Sequence, residues 1–413
     1  MRAFLCKLDM NTTFDVIIIG AGAAGFFTAI NIAEQNPDLK IAILERGNSI
    51  LQKVKISGGG RCNVTHACFD PKELTQYYPR GEKELLGPFH QFCCGDTFEW
   101  FDNHGVPLKI EDDGRVFPES NTSQTIIDCF STEVKKHQIE VLQNQGVLDF
   151  FKTNNDWEVV TKSDRFKANK LVVAGGSSPK LWKLLSKIGH KIVTPVPSLF
   201  TFNSIDDRIK DIPGVVVHNA NVKVIGSSLE SSGPLLTTHW GLSAPSILKL
   251  SAFGARELYE KNYQFDIEVN FIQMDTGDCL EELKSLKQNL AKNLVYKYTQ
   301  FDVPKRLWQK LVCAASISEI TRWADLTKQQ LEAMAKQLSA AVFQIDGKST
   351  FKEEFVTAGG VDLKDVNFKR FESKLHDNLF FAGEVLNIDA VTGGFNFQNA
   401  WTGGFLVAKA ITQ

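Results

Sequence analysis

"VIIIGAGAAGFFTAINIAEQNPDLKIAILERG", Val16 to Gly47, decides the fold. With Asp15 it opens on a short apolar, β-branched run, Asp15 to Ile19, the composition of a strand buried on both faces of a parallel sheet. Ala23, Ala24, Phe26, Phe27, Ile30 and Ala33 then recur at helical spacing before Pro37, and "KIAILE" reads as a second buried strand. Between the first strand and the helix, Gly20, Gly22 and Gly25 keep the spacing G-x-G-x-x-G. Gly20 permits the tight turn, Gly22 lets the backbone approach a pyrophosphate, and Gly25 lets helix and sheet pack closely. The helix N-terminus then meets the anion. Glu45 ends the second strand about twenty residues beyond the last motif glycine, where an acid accepts from ribose hydroxyls and disfavours a 2′-phosphate. The stretch predicts a dinucleotide site, with Ala23, Ala24 and Arg46 beside the motif residues, and argues against NADP there.

A chain of 413 residues is too long for one ordinary core, so two or three domains are expected. A formal charge of -2 gives no general drive toward nucleic acid or an anionic membrane, although a local patch is compatible with it. The segment "MRAFLCKLDMNTTF" lacks the apolar run and cleavage site of a secretory signal, and no segment offers ~20 uninterrupted apolar residues. These features predict a cytoplasmic protein, with residues 1–13 as a leader and Met10 as an alternative start. Cys6, Cys62, Cys68, Cys93, Cys94, Cys129, Cys279 and Cys313 are scattered, as thiols in a reducing compartment are. Cys62, His66, Cys68, His90, Cys93 and Cys94 lack a C-x-x-C pair, so buried thiols are favoured over a zinc site.

The rest of the chain selects among dinucleotides. In "KVKISGGGRCNVTH", Lys53 to His66, the run Gly58, Gly59, Gly60 is flanked by Ser57, Arg61, Cys62 and Asn63, a backbone loop able to lie flat on a ligand. Lys55 and Arg61 add charge for phosphates. Such a loop is superfluous for NAD, whereas a flavin needs a second surface along its ribityl chain and ring. "KLVVAGGSSP" is another apolar strand, ending in Ala174, Gly175 and Gly176. Near the C-terminus, a strand Leu379 to Ala382 leads through Gly383, Glu384, Asp389, Gly393 and Gly394 into a helix beginning with Phe395. Its N-terminus suits the negative charge that gathers at flavin N1 and the C2 carbonyl on reduction. Glu384 is placed for ribityl hydroxyls and Asn396 and Gln398 for the ring; Val147 completes the cofactor candidates. FAD is the expected cofactor.

"ISGGGRCNVTH", "THWGLSAPSILKLS", "VTAGGV", "ESK" and "FAGEVLNIDAVTGGFNFQNAWTGG" resemble a bacterial family of NAD(P)/FAD-dependent oxidoreductases, aminoacetone-oxidase-like and bile-acid-dehydroxylation-reductase-like flavoproteins. The resemblance runs from Phe14 onward. It implies an α/β fold: a discontinuous glutathione-reductase-like FAD-binding Rossmann domain with an inserted β-barrel-like domain carrying a helical subdomain. The family pattern has a longer glycine-rich turn after "AGGSSP"; here "KLWKLLSKIGH" follows directly, so contacts of that turn are not carried over.

The expected layout is an FAD domain over 14–193 and 356–413, a barrel-like insert over 194–275 with a return at 342–355, and a helical subdomain over 276–341. "GVVVHNANVKVI" and "YQFDIEVNF" alternate like strands, while Leu280, Leu283, Leu286, Leu290 and Leu294 share a helical face. Thr327 to Gln330 has the form of a capping box, and "FQIDGKSTF" reads as a hairpin. No second G-x-G-x-x-G follows a mid-chain strand, so NAD(P)H either docks transiently over the flavin as donor or is not the donor. His239, beside Trp240 on a turn, is the first catalytic candidate; Cys62, with Arg61 next to it to favour a thiolate, is the second. The expected function is hydride transfer through non-covalently bound FAD to or from a small molecule. The alternative is a flavoprotein serving RNA modification or acting as a redox partner, with "VPKRLWQK" as a basic-aromatic segment on a helix whose favoured reading is a solvated face.

Overall fold

Apolar strand segments in this chain are covered on both faces, and their neighbours run parallel. The computed structural model describes residues 12–154, 156–349 and 356–413. They form two units, one from the described residues up to Val196 together with Val356–Gln413, the other from Pro197 onward to Ser349.

In the first unit, five parallel strands lie in the order Leu379–Phe381, Arg165–Val173, Thr12–Ile19, Ile41–Leu44 and Glu140–Leu142. Val16, Ile17 and Ile18 are fully buried, as a central strand covered by helices requires. That strand begins earlier than its apolar run: Thr12 and Thr13 pair with Phe166 and Lys167. The leader expected over residues 1–13 is therefore corrected at Thr12 and Thr13, which belong to the sheet; Met10 and Cys6 lie outside the described residues. Asp149–Thr153 and Asp156–Val160 add an antiparallel meander on Arg165–Val173. Helix Ala23–Gln35 packs against the C-terminal helix Phe395–Thr412, where Gly404 comes so close that a Cβ would stand 2.8 Å from Thr28 Oγ1. Phe27 lies 5.1 Å from Trp401 and 4.6 Å from Trp100 between ring centroids, so aromatic rings fill the layer behind the sheet.

The second unit is built on seven antiparallel strands in the order Ala341–Asp346, Gln264–Asn270, Val216–Val224, Glu230–Thr237, Gly241–Ser243, Thr201–Asn203 and Lys348–Ser349. The first and last of these are consecutive in the chain and separated by Gly347 alone, which has φ +111°. The sheet therefore curls until its two edges meet, as a barrel does. The hairpin expected for "FQIDGKSTF" is corrected accordingly. Its two strands pair with Gln264–Asn270 and Thr201–Asn203 instead of each other, because one linking residue cannot form a two-residue hairpin turn. Helices Thr276–Asn289, Lys305–Ala314 and Lys328–Ser339 follow, and Leu283, Leu307, Trp308, Leu311, Met334 and Leu338 join the strand residues in one core. The capping box is present: Gln330 N donates to Thr327 Oγ1 at 3.2 Å and Thr327 N to Gln330 Oε1 at 3.1 Å.

Candidate functional site

Parallel strands deliver their following loops to one edge of the sheet, the edge at which ligands of open α/β folds bind. Four of the predicted segments stand there: Gly20 after Thr12–Ile19, Glu45 after Ile41–Leu44, Ala174–Gly176 after Arg165–Val173, and Gly383–Glu384 after Leu379–Phe381.

The glycines divide into two kinds. At Gly25 a Cβ would lie 2.0 Å from Gly20 O, and at Gly20 it would lie 2.6 Å from Ala174 O, so both are demanded by packing of the polypeptide on itself. A Cβ on Gly22 meets nothing within 4 Å. Gly22 is also the N-cap of Ala23–Gln35, with no side chain capping it, so the first-turn amides of Ala23 and Ala24 lie at a helix end of positive potential. The space in front of Gly22 fits a phosphate-bearing group. Gly383, at φ +75°, is pressed on the same turn, a Cβ there coming within 3.1 Å of Ala24 Cβ. Glu45 is held in place by its own neighbours: its carboxylate accepts from Ala21 N at 3.1 Å and from Gly47 N at 2.9 Å. Arg46 is exposed and Val147 buried.

The triple-glycine segment follows a short helical stretch and then breaks it: Gly58, Gly59 and Gly60 all take positive φ, and a Cβ on Gly59 or Gly60 would enter open space. Ser57 Oγ donates to Val54 O, and Ser57 O accepts from Cys62 N. Asn63, with its amide oriented to satisfy both sides, accepts from Gly394 N at 3.0 Å and donates to Thr65 O. This contact ties the loop to the start of the C-terminal helix, 331 positions away in the chain.

Several predicted residues do other work than expected. Arg61 pairs with Glu111 at 2.6 Å and lies 3.9 Å over the Phe117 ring, so it is engaged away from a phosphate. Lys55 is exposed, whereas Lys53, two positions earlier, reaches Glu384 Oε2 at 2.5 Å. Asp389 is fully buried and bound by Arg80 through two hydrogen bonds. Gln398, also fully buried, accepts from Thr65 Oγ1 at 2.6 Å and Thr97 Oγ1 at 2.9 Å and donates to Thr402 Oγ1 at 3.1 Å. Its amide is consumed inside the protein, so the expectation that it faces the ring is corrected: it positions the helix. Asn396 closes both its amide atoms on the backbone of Ala390. Phe395 is buried in a stack, 4.2 Å from Tyr77 and 4.6 Å from His66 between ring centroids.

Cys62 is buried at φ +61°, and that burial pushes its thiol up to about 12. The expectation of a thiolate favoured by Arg61 is corrected: the guanidinium turns to Glu111 and desolvation keeps the proton on sulfur. His239 stands in the second unit, exposed on the turn between Glu230–Thr237 and Gly241–Ser243, beside the exposed Trp240. Thr238 Oγ1 fixes that turn by accepting from Trp240 N at 3.2 Å and Gly241 N at 3.1 Å. Sequence reasoning missed Arg80, Lys53 and the Thr65–Thr97–Thr402 hydroxyls. Lys53, Arg80, Thr65 and Thr97 had no local signal, since the groups they bind, Glu384, Asp389 and Gln398, lie far from them in the chain.

With this geometry in view, the likenesses to known proteins are specific. The family model described as HI0933-like protein Rossmann domain matches residues 14–410. The 3-dehydro-bile acid delta(4,6)-reductase of Clostridium scindens is 24% identical over 96% of this chain and 98% of its own. The ribosomal RNA dihydrouridine synthase of Escherichia coli is 26% identical over 96% of this chain and 97% of its own. The 3-ketosteroid-delta4-(5alpha)-dehydrogenase of Rhodococcus jostii shares the fold, with a TM-score of 0.53 at 11% identity, covering 99% of this chain and 98% of that one.

Proposed function

The chain belongs to the HI0933-like Rossmann-domain family and is an FAD-dependent oxidoreductase, and on that premise we propose that it reduces a carbon–carbon double bond conjugated to a carbonyl group. The observation that carries the cofactor part is the contrast among the motif glycines: Gly20 and Gly25 are closed by the protein, while Gly22, Gly59 and Gly60 open on space that no protein atom fills. The bond class is supported by full-length relatives named as a delta(4,6)-reductase and as dihydrouridine synthases, names that describe hydrogen added across such a bond.

Bound FAD supplies the hydride in this reading. Gly22 and the amides of Ala23 and Ala24 would hold the pyrophosphate and Glu45 the adenosine ribose, with the buried Val147 as a further candidate for the adenine. Lys53, paired with Glu384, would position that carboxylate for the ribityl chain, and the loop Gly58–Gly60 would give the chain a backbone surface. The start of helix Phe395–Thr412, anchored through Gly394 to Asn63, would offer its positive pole to the negative charge that the ring carries on reduction. NAD(P)H is the proposed electron donor, and the acceptor is a small unsaturated carbonyl compound. Uracil carries a bond of the same class, so the RNA alternative differs in the carrier of the double bond.

The test is an anaerobic visible spectrum of the purified protein. Flavin bands should bleach on adding NADH or NADPH and return on adding an unsaturated steroid ketone or a uridine-containing RNA. Protein that holds no flavin and takes up none overturns the cofactor assignment, and bands that bleach but are restored by no conjugated acceptor overturn the bond class.

A further inference from the structure

The helical part of the second unit carries a concentration of charge that the whole-chain value of -2 conceals. Between residues 284 and 310 there are seven lysines and arginines and a single acid, Asp302. Lys284 is paired with Glu281, and Lys287 donates to Leu326 O. Among the described residues, no carboxylate stands within ion-pair distance of Lys292, Lys297, Lys305, Arg306 or Lys310. Four of these five are exposed.

The fold explains why they stay unpaired. On helix Lys305–Ala314, Leu307, Trp308, Leu311 and Val312 are buried in the core, which leaves Lys305, Arg306 and Lys310 on the outer side. Arg306 is fixed there by donating to the carbonyls of Asp211 and Pro213, contacts that orient the guanidinium without neutralising it. Arg306 and Lys310 line a groove of about 570 Å³, together with Tyr296, Gln309, Asp207 and Glu319. Tyr296 is half-buried against the core, and Tyr298, two positions on, is exposed.

We propose that this groove and the flanking lysines are a surface for structured RNA. Unpaired cations supply the phosphate contacts, and release of counterions from RNA makes each of them favourable. Tyr296 and Tyr298 offer faces on which unstacked bases lie. Asp207 and Glu319 make the groove unlike a plain phosphate trap, and as acceptors they suit the 2′-hydroxyls and base N–H groups that RNA presents. Charge complementarity thus favours a polyanion over an uncharged partner, and the acceptors give partners to the 2′-hydroxyls that set RNA apart from DNA. The surface stands on its own observations, whichever compound the flavin reduces.

The experiment uses the full chain loaded with FAD and a fluorescent uridine-rich RNA stem-loop of about 30 nucleotides, titrated at 50 and 200 mM NaCl. The expected result is saturable binding that weakens with salt, at least tenfold weaker binding for the deoxy version of the same sequence, and a fall in affinity of tenfold or more in the variant Lys292→Glu, Lys297→Glu, Lys305→Glu, Lys310→Glu. Arg306 is left intact because its carbonyl contacts support the fold; the flavin spectrum and melting temperature report whether the variant is folded. A milder variant, Tyr298→Ala with Lys310→Gln, should weaken RNA binding about threefold or more, on the scale of one lost stacking contact and one lost phosphate contact. Absence of RNA binding at 50 µM protein in low salt, equal binding by variant and parent, equal binding of the deoxy oligonucleotide, or binding to vesicles containing 30% phosphatidylserine in place of RNA each overturns the assignment. Flavin that fails to bleach leaves this result untouched and counts against the redox reading alone.

Discussion

In the Rossmann unit the candidate site is made of backbone, whereas in the second unit the exposed groups are long side chains. Gly20 and Gly383 at strand ends, Gly22 and Gly25 at the start of helix Ala23–Gln35, and Gly59 in the loop that breaks Gln52–Gly60 shape the first by having no side chain. Lys305 and Lys310 shape the second by being left over after Leu307, Trp308 and Leu311 enter the core, and Lys292 and Lys297 stand exposed on the segment before that helix. A backbone site tolerates no substitution where the chain meets itself, while a side-chain surface loses its properties by small, additive steps.

The sharpest way to break this comparison is at Gly25. Gly25→Ala places a Cβ against the Gly20 carbonyl, an overlap of backbone on side chain that no rotamer relieves, and should cost about 4 kcal/mol or more. Soluble protein with an unchanged melting temperature would show that the turn is not packed as described. Next comes Arg80→Met, which leaves the buried Asp389 without its guanidinium and should cost about 3 kcal/mol, read as a lower denaturation midpoint.

A smaller effect comes from pH. Burial holds the His190 imidazole at about 4, below its ordinary 6.5, with Ser373 Oγ 3.1 Å from Nε2. The unfolded chain therefore takes up a proton that the folded chain refuses, and stability declines as pH falls from about 6.5 toward 4. His190→Gln should flatten this part of a melting-temperature profile; an unchanged slope would mean other groups cause it. Gly22→Ala then separates packing from ligand, because its Cβ meets no protein atom. The apo protein should melt within about 0.5 kcal/mol of the parent while flavin retention falls several-fold. Equal flavin content would show that the space before Gly22 is not used by the cofactor. The smallest expected change is Trp240→Ala on the exposed turn, within about 0.5 kcal/mol in stability, checked by the same melts.

The parts of the molecule that could be read in advance are those where local sequence carries the physical demand. The strand core Asp15–Ile19, the glycine turn, Glu45 and the capping box at Thr327 each depend on residues close together in the chain, whereas Thr12 and Thr13 joined the strand only through pairing with Phe166 and Lys167. The hairpin expected at Gly347 failed because the partner strands of Ala341–Asp346 and Lys348–Ser349 come from distant segments, which composition cannot reveal. Gln398 and Asp389 looked like ligand contacts because polar residues beside a glycine pair usually are exposed. Their partners, Thr65, Thr97 and Arg80, lie roughly 300 positions away and absorb them into the interior.

By itself, then, the sequence determined a buried parallel strand, a turn in which only glycine fits, and the dinucleotide site at its end, since steric exclusion and periodicity act over a few neighbouring residues. Tertiary structure alone decided which polar groups remain for chemistry. Burial raises Cys62 out of the reactive range, ion pairing removes Arg61 and Asp389, and the core of the second unit turns a row of lysines outward without counter-charges, because desolvation and pairing depend on what the fold brings from far along the chain.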